Sequence, residues 1–93
     1  MFDQACANAD AAGCTFLGLV YSEGLAVVAD QERAANLFRR ACRAGNAHGC
    51  FNLAIAFEAG RGVTADLTQA RTWYVQACRG GVERACGAAE RLK

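Results

Sequence analysis

The sequence predicts an all-α fold, a solenoid of antiparallel helix pairs, and three observations predict it. The cysteines fall at Cys6, Cys14, Cys42, Cys50, Cys78 and Cys86, so they are 8 apart within each pair and the pairs recur every 36 residues. A fixed period of that size marks a repeat array. Other residues obey the same shift: Ala11, Gly13, Leu17, Gly24, Val27, Ala29, Asp30, Ala34 and Ala41 return as Ala47, Gly49, Leu53, Gly60, Val63, Ala65, Asp66, Ala70 and Ala77, and Phe2, Phe38 and Tyr74 share one position. Finally, the 93 residues contain no proline and are 54% apolar, which excludes a disordered or collagen-like chain and leaves long helices open. That length holds one small domain, read as residues 1–93 with repeat units at about 6–41 and 42–77 and a partial unit at 78–93.

Each unit reads as two helices of different character. From Asp66 to Cys78 the apolar residues Leu67, Ala70, Trp73, Tyr74, Ala77 and Cys78 form one stripe at spacings of three and four, opposite Thr68, Gln69, Arg71, Thr72 and Gln76. Asp66 stands where an N-cap carboxylate accepts from the first-turn amides. Asp30 to Cys42 repeats the pattern with Ala34, Leu37, Phe38 and Ala41. Cys50 to Phe57, by contrast, is apolar nearly all round, as in a helix enclosed by neighbours or lining a groove. The first helix of each unit is therefore inner and the second outer. Gly60 suits a left-handed C-terminal cap. Ala26 replaces the second glycine of the equivalent connector, with strain or a changed path expected there. The connectors at Ala44-Gly45-Asn46 and Arg79-Gly80-Gly81 are short, as antiparallel neighbours require.

These residues resemble the Sel1-like repeats, relatives of the tetratricopeptide repeats. The matching residues are Gly49, Leu53, Ala54, Phe57, Gly60, Gly62, Val63, Asp66, Ala70, Trp73, Tyr74 and Ala77. The cysteines eight apart resemble the Helicobacter cysteine-rich type within that group. Spacing alone leaves several pairings of six cysteines open. If every repeat is built alike, the pairs are Cys6–Cys14, Cys42–Cys50 and Cys78–Cys86, each contributing roughly 2–3 kcal/mol on a chain-entropy account. A zinc site and reduced, buried thiols are the alternatives, and with one histidine, His48, and no close Cys-x-x-Cys pair the zinc reading is the weaker fit. Disulfides place the protein outside the cytoplasm, periplasmic or secreted. Met1-Phe2-Asp3-Gln4 shows no basic region followed by an apolar run, so that localisation assumes a leader absent from this chain.

Functionally, a net charge of +1 supplies no field for nucleic acid or an anionic membrane, and no apolar run approaches the ~18 residues of a membrane span. Some Sel1-like proteins are described as β-lactamase-like. That chemistry needs Ser-x-x-Lys, and the one serine, Ser22, is followed by Glu23-Gly24-Leu25 while Lys93 is terminal. His48 and Cys50 point about 200° apart on a helix, and Glu58 and Glu90 read as lone surface carboxylates. The expectation is a non-enzymatic module with no cofactor and no metal site. By the tetratricopeptide resemblance its inner helices line a concave face that takes a protein or peptide. Registering the helices puts Thr15, Leu19, His48, Phe51, Asn52, Ile55, Arg84 and Arg91 on that face. Asn52 and Arg84 fall where carboxylate-clamp tetratricopeptide domains hold an asparagine and a base for a peptide C-terminus, but Thr15 and Leu19 occupy the earlier clamp positions, so at most half a clamp is present. Trp73, Tyr74, Phe38, Phe57 and Tyr21 read as core; Phe51 and Phe16, lacking aromatic equivalents, read as contact residues. Arg39, Arg40 and Arg43 oppose the dipole of their own helix. The remaining readings are a structural piece of a longer array without its own ligand, a penicillin-binding enzyme, and end-to-end self-association through Phe2 and Leu92.

Overall fold

The computed structural model describes residues 11–25 and 28–93. The expected Cys6–Cys14 bridge, the Ala26 turn and Phe2 lie outside the described residues. Within them the chain forms α1 (Ala11–Glu23), α2 (Gln31–Arg43), α3 (Ala47–Ala59), α4 (Leu67–Arg79) and α5 (Glu83–Arg91), with no strand among the described residues. Each helix packs on the next, and α1 also packs on α3. That skip-one contact is what stacking of repeats requires.

The helices begin and end where the local chemistry directs. Asp30 Oδ1 accepts from Arg33 N at 3.0 Å and Asp66 Oδ1 from Gln69 N at 3.1 Å, so the two outer helices start on equivalent caps. Asn46 does the same for α3, accepting from Gly49 N at 2.9 Å. Each such cap contributes about 1 kcal/mol. In α5 the equivalent residue is Val82, which has no side chain able to cap. At the other end of α3, Gly60 takes φ +70 and ψ +40, the left-handed geometry that stops the helix.

The core lies between the inner and outer layers. Leu17 and Leu53, equivalent residues of α1 and α3, are buried to 1% and 0% exposure. Against them pack Phe38 and Tyr74 with the small residues Ala34, Ala41, Ala70 and Ala77, all buried. Trp73, Phe57 and Tyr21 are partly buried against the same core. The amphipathic outer helices present one apolar stripe inward, whereas α3 is apolar beyond its buried face, with Phe51, Ile55 and Phe57 partly buried.

The joint between α2 and α3 leaves no room for a side chain at Gly49. A methyl group on Gly49 would lie 2.6 Å from Ala41 Cβ and 3.0 Å from Cys42 N. One residue on, Cys50 is bonded to Cys42 with the Cα atoms 4.5 Å apart, and Cys78–Cys86 repeats the bridge between α4 and α5 at 4.8 Å. No described cysteine is a free thiol. Both observed pairings are those expected from equivalent repeats, and they remove four sulfurs from the zinc and free-thiol readings.

Gly49→Ala should therefore lower stability by about 1–3 kcal/mol through overpacking. Gly87→Ala, in α5 with open space around it, should raise it by about 0.5–1 kcal/mol through helix propensity. Urea midpoints of the oxidised proteins test the pair, and shifts of the same sign would contradict this account of the joint.

Candidate functional site

A groove of about 430 Å³ runs across the inner helices. Helix α1 supplies Thr15, Phe16 and Leu19, α3 supplies His48, Phe51 and Asn52 with its cap Asn46, and α5 supplies Arg84. The spacings of three and four within α1 and α3 put each set on one helical face. Phe16 is 63% exposed and Leu19 37%. The groove is therefore largely apolar along α1, mixed along α3 and cationic at α5.

Its polar members are held by the fold. The Thr15 hydroxyl lies 2.9 Å from Asn46 Oδ1 and 3.3 Å from Ala11 O. With one proton to give, it donates best along the shorter line, which ties α1 to the cap of α3. Asn52 Nδ2 donates to His48 O one turn back, at 2.9 Å. The Arg84 guanidinium sits 4.9 Å from the Phe51 ring centroid, and that ring meets Tyr74 edge-on at 5.8 Å. Phe51 thus closes the core on one side and carries a cation on the other.

The sequence matches the family model "Sel1 repeat" at residues 11–46 and 47–82. The chain belongs to the Sel1 repeat family. Among solved structures it is similar to Helicobacter pylori cysteine rich protein B, with a TM-score of 0.89 and 37% identity over 94% of this chain and 65% of that one. It is also similar to a Sel1 repeat protein from Oxalobacter formigenes, with a TM-score of 0.94 and 28% identity over 99% of this chain and 27% of that one. The chain thus spans less than two-thirds of either protein. No curated protein matches it.

Six of the eight sequence-predicted residues, Thr15, Leu19, His48, Phe51, Asn52 and Arg84, line this Sel1 groove together. Ile55 does not; it lines a smaller cavity of about 160 Å³ that also touches Leu19, Asn52 and α2. Arg91 lies on Glu58, its Nη1 2.7 Å from Oε2 and its Nη2 3.1 Å from Oε1. Glu58 Oε1 also accepts from the Tyr74 hydroxyl at 2.6 Å. The expectation that Glu58 is a lone surface carboxylate is thus corrected: it joins α3, α4 and α5. Sequence reasoning also passed over Asn46, although an asparagine immediately before a helix is an N-cap signal. For acyl-transfer chemistry, Ser22 Oγ faces Gln31 Oε1 at 3.4 Å and Lys93 sits 3.5 Å from Glu90. Among the described residues no group of His, Cys, Asp and Glu is arranged to hold a metal, and no described helix is long and apolar enough to cross a membrane.

The Glu58 contacts make stability depend on pH. Hydrogen bonds from Arg91 and then Tyr74 hold the Glu58 carboxyl below its ordinary value. Burial, then the bond to Glu58, pushes the Tyr74 hydroxyl up to about 12. A depressed carboxylate contributes fully above its unfolded value, about 4.3, and that contribution is lost as pH falls. The raised phenol contributes below about pH 10 and loses its contribution as pH rises through about 12. Glu58→Gln should therefore flatten the fall in urea midpoint between about pH 5 and 3, and Tyr74→Phe should cost about 1 kcal/mol at pH 7. Parallel pH profiles for wild type and Glu58→Gln would contradict the assignment.

Proposed function

We propose that this chain is a non-enzymatic protein-binding module that seats a peptide segment of a partner protein in its inner groove, and that it works outside the cytoplasm. The observation that carries the reading is Phe16. It is a large aromatic side chain left 63% exposed on an inner helix, beside Leu19 and opposite Asn52, His48 and Arg84. Exposed apolar surface rimmed by polar groups is typical of interaction sites. Helix pairs stacked in Sel1 fashion offer such a surface rigidly, so little ordering entropy opposes binding. The extracytoplasmic setting is supported by the two bridges, because disulfides persist in oxidising compartments.

Selection of a displayed random-peptide library on the oxidised protein tests this. Peptides should be enriched, and Phe16→Ser should weaken the selected ones about tenfold, as loss of an aromatic anchor does. Failure to enrich any peptide that depends on Phe16 would overturn the reading. Comparing a selected peptide with its C-terminal amide separates peptide-end recognition, which predicts weaker amide binding, from side-chain recognition, which predicts equal binding. Nitrocefin should be hydrolysed only at the background rate; turnover lost in Ser22→Ala would put an enzyme in place of the binding module.

A further inference from the structure

The first turn of α3 stands between two cavities. The inner groove lies on one side, lined in part by Asn46 and His48. On the other side a second cavity of about 430 Å³ opens between the ends of α2 and α4, lined in part by Ala47, Arg43, Gln76 and Arg79. Arg43 and Arg79 occupy the same place in successive repeats, 36 residues apart, and so do His48 and Arg84 on the inner side. Neither cavity has an aspartate or glutamate among its described lining residues. Arg43, Arg79 and Arg84 form no ion pair with any described carboxylate. Glu83, next to Arg84 and exposed, is the carboxylate nearest in sequence.

The opposite ends of the helices are built differently. There Glu58 is paired with Arg91, and Asp30 and Asp66 cap α2 and α4. A glutamate, Glu23, and an arginine, Arg61, share the lining of the cavity there. Among the described residues, Arg43, Arg79 and Arg84 thus bring three cations without an ion pair to the disulfide-bearing end. Favourable interaction with the helix dipole explains why arginine is tolerated in the last turns of α2 and α4. Among the described residues no carboxylate takes these guanidinium groups, which suits them to an anionic partner.

We propose that the inner groove and the outer cavity act as one surface for an acidic segment of a partner protein, an inference that rests on the groove being a peptide site. An apolar side chain of the segment lies on Phe16 and Leu19. Carboxylates beside it meet Arg84, and the chain then passes over the first turn of α3 to place further carboxylates on Arg43 and Arg79. A helix is about 10–12 Å across with its side chains and an extended chain advances about 3.3 Å per residue. The distal acidic residues therefore fall about three to four positions from the apolar anchor. Guanidinium recognises carboxylate bidentately, and charge complementarity of this kind selects among otherwise similar apolar segments.

The library selection tests this directly. Selected peptides should be enriched in Asp and Glu at that spacing from an apolar residue. The exposed double variant Arg43→Gln with Arg79→Gln should keep the wild-type melting temperature and bind them about five- to tenfold more weakly, and raised salt should reduce wild-type binding toward the variant's. Phe16-dependent peptides without acidic enrichment, or an unchanged affinity in the double variant, would overturn the acidic-segment proposal and leave the groove reading standing. Acidic peptides that depend on the arginines but not on Phe16 would overturn the groove reading and the two-cavity surface with it. Displacement of the peptide by duplex DNA at comparable concentration would assign the surface to polyanions and overturn the proposal as well.

Discussion

The close approach of each outer helix end to the next inner helix start is the constraint on which the molecule depends. At Gly49 there is no space for a single methyl group against Ala41 and the Cys42 backbone. Such contact fixes both the angle and the register of α3 on α2. The Cys42–Cys50 bridge then makes the joint covalent at a Cα separation of 4.5 Å. Because Asn46 both caps α3 and receives the Thr15 hydroxyl, the register set at this joint passes to α1. The groove floor is therefore a consequence of the joint, built from residues that the joint holds at fixed distances.

The division into inner and outer helices turns this geometry into a surface. Outer helices carry one apolar stripe and satisfy it in the core. Inner helices have more apolar circumference than the core uses, and the remainder faces the groove. Phe51 shows both roles, with an edge contact to Tyr74 behind it and the Arg84 cation in front. Phe16 shows the surplus alone, since its ring is 63% exposed. Binding in such a fold needs no special loop; it follows from stacking helices that are apolar on more than one side.

Most of this architecture was legible because the repeat writes it more than once. Shifting the sequence by 36 residues aligns Leu17 with Leu53, Asp30 with Asp66 and each cysteine pair with the next, so the helix positions, the outer-helix caps and, given like repeats, the two observed bridges follow from the pattern. Helical spacing likewise brought Thr15, Leu19, His48, Phe51, Asn52 and Arg84 to one face. Contacts between residues that do not recur left no such trace. Glu58, Tyr74 and Arg91 correspond to Ser22, Phe38 and Ile55 one unit earlier, so no periodicity marks them as partners. Helical register puts Arg91 in the groove for the same reason, since register fixes a direction and says nothing of a carboxylate 33 residues away that captures the side chain.

The two kinds of contact divide the work of the structure. Recurring apolar contacts and bridges suit any number of units, and they make the stack. Non-recurring polar contacts act where one unit departs from the next. Val82 gives α5 no side-chain cap where Asn46 caps α3, and it is α5 that receives the Glu58–Arg91 pair at its other end, with Tyr74 of α4 on the same carboxylate. A helix without its cap is thus anchored by the Cys78–Cys86 bridge at its start and by a charge-assisted pair at its last turn. Arg91 is committed to that anchoring, while Arg84, two turns earlier on the same face and paired with no described carboxylate, is available to a ligand. Two arginines on one nine-residue helix therefore serve different ends, and the difference comes from whether the neighbouring inner helix sets a carboxylate opposite.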